Sequence, residues 1–239
     1  MRRLALRSLL LISVASAVGI FSYLLAAEAR QRTTEFANQV AAGAQKLFEA
    51  GQRDDALGAL AEAVRLAPDS AIAQRELAME LVASGRWQAA ADQLRRVLSI
   101  SPGDAGAAEK LAEVQERLGD RNGAIASLRL ACKSDPQNGM SWIELASLLL
   151  RAGDAPGALR AAQRAVKLAE GVPDAHLSLG FALYQTGDTT GDTTGAEESF
   201  SKVLKLDPGN GAALHALARI RSHPHGAPGP KRSIPLESA

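Results

Sequence analysis

Few side chains in this sequence could carry out chemistry. His176, His215, His223 and His225 are its 4 histidines, and Cys132 is its 1 cysteine. His223-Pro224-His225 places two imidazoles close together, with His215 a short stretch before them. A structural zinc site needs four nitrogen or sulfur ligands at defined spacing. No carboxylate or thiolate is spaced to complete such a set, so no metal ligand is assigned. Asp188 and Asp192 stand among threonines in a duplicated Gly-Asp-Thr-Thr, which reads as a polar loop. Cys132 follows Ala131 in an apolar stripe, the place for a small packing residue. A single cysteine excludes an internal disulfide and is compatible with an oxidising compartment. There is no phosphate-binding G-x-x-x-x-G-K-[ST], no H-E-x-x-H, no G-x-S-x-G and no dinucleotide fingerprint. The sequence predicts no catalytic residue, no cofactor and no metal, so it is not read as an enzyme.

What organises the chain is a period. Gly51, Gly85, Gly119, Gly153 and Gly187 recur every 34 residues. Ala56, Ala90, Ala124 and Ala158 follow the first four glycines in step, and Ala44, Ala78, Ala112, Ala146 and Gly180 precede all five. Pro68, Pro102 and Pro136 keep the same register. Several columns in one register mark a repeat protein. In residues 71–104, Leu77, Ala78 and Leu81 fall at helical spacing, and Gly85 interrupts. Ala90, Ala91, Leu94, Val97 and Leu98 then make a second stripe, which Pro102 and Gly103 stop. This reads as helix, turn, helix, turn. The alanines let two helix axes approach closely. The glycine suits a helix end with left-handed backbone, and the proline ends the second helix.

On these residues the chain resembles the tetratricopeptide repeat (TPR) family. One unit supplies Leu77, Ala78, Leu81, Gly85, Ala90, Leu94, Val97 and Pro102, and another supplies Trp142, Leu145, Ala146, Leu149, Gly153, Ala158, Ala162 and Ala165. The resemblance implies an all-α helix-turn-helix solenoid over residues 37–221. Its repeats are 37–70, 71–104, 105–138, 139–172 and 173–210, followed by a capping helix at 211–221. The sequence departs from the pattern in three places. Gly43 stands where leucine is usual, Glu170 replaces the expected proline, and the second Gly-Asp-Thr-Thr adds four residues. That insertion is expected in a turn, where extra length costs little. Residues 222–239, rich in Pro and Gly, are expected to be a disordered tail.

The N-terminal chemistry differs. Arg2, Arg3 and Arg7 precede an uncharged run from Ser8 to Ala27. Twenty helical residues reach about 30 Å, the thickness of a bilayer core. The segment 8–27 is therefore expected to be a transmembrane signal-anchor helix, with a cytoplasmic stub at 1–7 and a juxtamembrane segment at 28–36. The leading arginines orient it with the repeats outside the cytoplasmic membrane, on the periplasmic face in a bacterial-type cell. The rival reading is a cleaved signal peptide and an exported protein. With the three leading arginines set aside, 24 basic residues face all 26 acidic ones, a net charge of −2. That balance argues against nucleic acid as a partner.

The resemblance also implies where partners bind, because in that family the first helix of each unit lines a concave groove. The matching positions include Ile72, Arg75, Met79 and Val82, then Glu109, Glu113 and Glu116, then Met140 and Ile143, and finally Phe181 and Tyr184. Arg75, Met79, Glu109, Glu113, Glu116, Ile143, Phe181 and Tyr184 are the candidate partner-binding residues. The lysines and asparagines with which chaperone-binding members clamp a terminal carboxylate are missing there. The surface suits an apolar polypeptide segment with one or two basic residues. The expected function is a membrane-anchored adaptor that gathers other proteins. The alternative is a homo-oligomeric scaffold without a peptide ligand.

Overall fold

The computed structural model describes residues 2–190 and 193–222, with side chains described for 20–187 and 193–222. These residues form eleven helices and no strand. The helices are α1 (Arg2–Glu49), α2 (Arg53–Leu66), α3 (Ala71–Ala83), α4 (Trp87–Ile100), α5 (Ala105–Arg117), α6 (Arg121–Ser134), α7 (Gly139–Ala152), α8 (Ala155–Leu168), α9 (Pro173–Thr190), α10 (Thr194–Leu206) and α11 (Gly211–Ser222). They fall into two compact units, Met1–Pro102 and Gly103–Ala239. In the first unit α1 packs on α2, α2 on α3 and α3 on α4. In the second, α5 to α11 pack each on the next, and α7 also reaches α9.

The turns form as the period predicts. Gly51, Gly85, Gly119 and Gly153 adopt φ of 79°, 71°, 78° and 80°. The amide of the next residue bonds back into the first helix, as Asp154 N–H does to the Leu149 carbonyl at 2.9 Å, closing its C-terminus. Second helices start on Asp120 and Asp154, whose carboxylates accept from the amides of Gly123 and Gly157 at 2.9 Å each. First helices start on Ser70, Asp104 and Asn138, whose side chains accept from the amides of Ala73, Ala107 and Met140. Each cap satisfies an otherwise orphan donor.

One hydrogen bond recurs with the repeat. The side chain at the column of Trp142 donates to the carbonyl six residues earlier. Trp142 Nε1 reaches Pro136 O at 3.2 Å, Gln74 Nε2 reaches Pro68 O at 2.9 Å, and His176 Nε2 reaches Glu170 O at 2.8 Å. The bond uses the carbonyl and not the ring of proline, so Glu170 replaces proline without losing it. This gives buried His176 a packing role.

The structure differs from sequence expectation in two places. The juxtamembrane segment 28–36 is not a separate element: α1 runs unbroken from Arg2 to Glu49, so the first helix of the first repeat is the end of a 48-residue helix. No proline or glycine interrupts residues 20–42, and local pairs support the helix there. Arg32 binds Glu28 at 2.6 Å, Gln31 donates to Glu35 at 3.0 Å, and Thr33 and Thr34 donate back to the carbonyls of Ala29 and Arg30. The first Gly-Asp-Thr-Thr is helical, not a turn, because α9 continues through Thr190 and Gly187 has no positive φ. Asp192, and with it the second copy's Gly191, lies outside the described residues, as do His223, His225 and the tail from 223.

The part of the apolar run before Ile20 lies outside the residues with described side chains. Among the described residues, no helix is long and apolar enough to cross a membrane. Ile20, Phe21, Tyr23, Leu24 and Leu25 are each more than half exposed.

Candidate partner-binding surface

Helix α3 separates its faces cleanly. Gln74, Leu77, Ala78 and Leu81 are buried. Ile72 stays 48% exposed and Met79 38%, with Arg75 exposed between them. These three lie at i, i+3 and i+7, one face of a helix. Half-buried Val82 continues it. Two apolar side chains flanking a guanidinium form an open stripe.

The acidic residues of α5 are held differently. Glu109 accepts from Asn138 Nδ2 at 2.8 Å and from the Ser141 hydroxyl, both at the start of α7. Glu116 pairs with Arg151 at the other end of α7. Glu113 pairs with Lys110 within α5 at 2.8 Å. Two of the three glutamates therefore brace α5 against α7. Exposed pairs of this kind contribute at most about 1 kcal/mol each. Arg151 answers the charge of Glu116 and Lys110 that of Glu113, whereas the partners of Glu109 are neutral donors.

Glu144 belongs to the same cluster, and the sequence reading missed it. Desolvation, followed by the carboxylates of Glu109, Glu116 and Glu113, pushes its carboxyl above the usual range. A signal was present: Glu144 lies 35 residues after Glu109, the separation that also joins Glu116 to Arg151. Residues one repeat and one place apart meet between first helices.

Ile143 and Phe181 do not stand on an open face. Ile143 is 5% exposed and packs with Ala165 and Ala175. Phe181 is 7% exposed, its ring 5.1 Å from that of Phe200 at 70°. The physical reason is that α9 follows α7 and packs on it, so the inner positions of both helices fill the core. Tyr184 is half-buried, with the Arg219 guanidinium 5.5 Å from its ring centre. Of the candidate residues, the structure brings the glutamates together, leaves Arg75 and Met79 on an open stripe, and assigns Ile143 and Phe181 to packing.

Cys132 is 3% exposed, and burial, with Glu109 and Glu144 nearby, pushes its thiol up to about 12. Such a thiol is a poor nucleophile and metal ligand at neutral pH. Among the described residues no three His, Cys, Asp or Glu side chains are grouped to hold a metal ion.

Comparison with known proteins agrees with this architecture. A tetratricopeptide repeat family model matches residues 41–105, 75–139 and 143–211. No curated protein matches the chain in sequence. Among solved structures, YrrB, described as a TPR protein with an unusual peptide-binding site, superposes with a TM-score of 0.64 at 19% identity, over 74% of this chain and 89% of its own. MamA from Desulfovibrio magneticus RS-1 gives 0.60 at 20% identity, over 75% and 97%. PilF of Pseudomonas aeruginosa gives 0.58 at 17% identity, over 81% and 86%. At these identities the likeness concerns the fold, one that generally serves as a non-enzymatic protein-interaction scaffold. The family model spans well over half of the sequence, and its repeats coincide with the hairpins seen here: the chain belongs to the tetratricopeptide repeat family.

Proposed function

We propose that this protein is a membrane-held adaptor that binds segments of other proteins on the open face of its first helices. The observation that carries the reading is the α3 stripe. Ile72, Arg75 and Met79 remain exposed on a helix whose other face is buried. Core demand does not account for apolar side chains left there. YrrB, similar in fold, is described as having a peptide-binding site, which supports a polypeptide as the ligand class. The partner segment presents apolar anchors to Met79 and Ile72, on either side of Arg75. Such a segment buries less than about 1,200 Å², so the contact is transient.

The anchor is the Ser8–Ala27 run, oriented by Arg2, Arg3 and Arg7 with the repeats on the extracytoplasmic side. Holding both partners in one membrane plane raises their effective concentration without new contacts. Assembly or maturation of envelope proteins is the process that such a tether serves.

A photo-crosslinking amino acid at position 79 of the full chain, activated in intact cells, tests this. Adducts with another protein, lost on Arg75→Glu, are expected in the membrane fraction. Adducts only with a second copy of the chain favour a homo-oligomeric scaffold. No adduct at 79, under conditions where the same group at another exposed position does crosslink, refutes the α3 reading. Alkaline extraction tests the anchor separately, since a cleaved, exported form is released.

A further inference from the structure

The second unit carries a cavity that the reading of α3 does not use. It lies between α6, α7 and α8 and measures about 250 Å³. Leu145 and Leu149 are buried at its floor, and Trp142 forms a half-buried wall. The exposed side chains of Arg129, Lys133 and Arg160 stand around it. Its lining includes no carboxylate. The Arg129 guanidinium lies 3.8 Å from Asp154, whose carboxylate also caps α8. Lys133 and Arg160 form no ion pair among the described residues. On α7, Trp142, Leu145 and Leu149 share one face at i, i+3 and i+7. Glu144, two residues after Trp142, lies about 200° around the helix. Glu109 and Glu144 lie near Cys132, which also lines the cavity, but neither carboxylate is part of the lining.

Size and charge select the occupant. An apolar cavity of about 150 Å³ already admits a benzene-sized group, whereas sites for whole small molecules begin near about 300 Å³. A volume of about 250 Å³ suits one large apolar side chain. Lys133 and Arg160, which form no ion pair among the described residues, favour negative charge beside that side chain, and their long stems let them reach out to it. We infer that this cavity is a second docking site, for an acidic peptide segment that inserts one phenylalanine- or leucine-sized side chain between α6, α7 and α8 while its carboxylates meet Lys133 and Arg160. It does not rest on the α3 stripe: it is built from other helices, and it selects the opposite charge.

The test uses the full chain in detergent and a fluorescein-labelled synthetic peptide of glutamates and aspartates around one phenylalanine. Binding is read by polarisation, and insertion by the Trp142 indole N–H resonance. The acidic peptide is expected to bind and to shift the Trp142 resonance but not that of Trp87. Replacing its phenylalanine by alanine, or its acids by lysine, removes binding. Lys133→Glu with Arg160→Glu, both at exposed positions, weakens it by at least about tenfold, as does raising the salt. Met79→Asp on α3 leaves it unchanged, which separates this site from the proposed adaptor face. No binding up to about 1 mM, or equal affinity after charge reversal or for the alanine peptide, overturns the proposal. So does capture of phosphatidylglycerol vesicles, lost on the same charge reversal, by a chain that ignores the peptide.

Discussion

Gly180 occupies the column held by Ala44, Ala78, Ala112 and Ala146 in the other repeats. With the inserted four residues discounted, Phe200 occupies the column of Leu60, Leu94, Leu128 and Ala162. The two departures answer each other. A Cβ on Gly180 would stand 2.6, 2.8 and 3.0 Å from three carbons of the Phe200 ring. Ordinary carbon contact begins near about 3.5 Å, so the ring must retreat by roughly 0.9 Å. It has nowhere to go, being fully buried with Phe181 5.1 Å away. Gly180→Ala therefore overpacks the site at a cost of about 1–3 kcal/mol, offset by about 1 kcal/mol of helix propensity. Phe200→Leu alone leaves a cavity. The double variant rebuilds the Ala/Leu pair of the first three repeats. A double-mutant cycle cancels the propensity contribution, because it is the same in both backgrounds. The expected coupling is about 1–3 kcal/mol in favour of the double variant. Urea unfolding of the four full-length chains in detergent, followed by far-UV circular dichroism, measures it. Additive effects of the two substitutions would show that the columns do not meet as described and would refute the register of the last repeat.

Other outcomes follow from local geometry and titration. Gly153→Ala places a methyl in open space but at φ of 80°, so it should destabilise the fold by about 1–2 kcal/mol through backbone strain alone. Gly58→Ala, equally open but inside α2, should stabilise it by about 1 kcal/mol, and denaturant midpoints of the two variants should shift in opposite directions. The raised carboxyl of Glu144 means that its ionisation works against the fold. Its stabilising contribution is complete below the ordinary glutamate range and is lost as pH rises through the raised value. Glu144→Gln should therefore melt above the parent at pH 7, with the gain vanishing near about pH 3.5, where both side chains are neutral. With its thiol pushed up to about 12, Cys132 should resist iodoacetamide at pH 8 in the folded protein and react readily in urea, and rapid native labelling would contradict the burial.

Much of the fold is legible in the residues because the period repeats local physics. The glycine at the turns of the first four repeats, the capping side chains Ser70, Asp104, Asp120, Asn138 and Asp154, and the small residue where axes approach are choices made within one repeat or against its neighbour. The first Gly-Asp-Thr-Thr departs from this pattern. Gly-Asp-Thr-Thr reads as loop chemistry, yet Gly187 and the residues through Thr190 continue α9, while the second copy begins outside the described residues. The continuity of α1 was masked by composition. The shift from apolar to polar residues after Ala27 marks a change of surroundings and leaves the backbone hydrogen bonds of the helix unbroken. The cavity beside Trp142 has no sequence signature, since Arg129, Lys133 and Arg160 come together only when α6 and α8 pack against α7.

The sequence by itself determined that paired helices recur, where each pair turns and which side chains share a register position. It did not determine which of those positions stay open. Arg75 and Ile143 occupy the same place in their repeats, as do Met79 and Phe181, yet the first of each pair is exposed and the second buried. Register is a property of one helix and its 3.6-residue turn. Burial is set by what later helices lay over that face, and α9 on α7 covers Ile143 and Phe181 while α3 keeps Arg75 and Met79 uncovered.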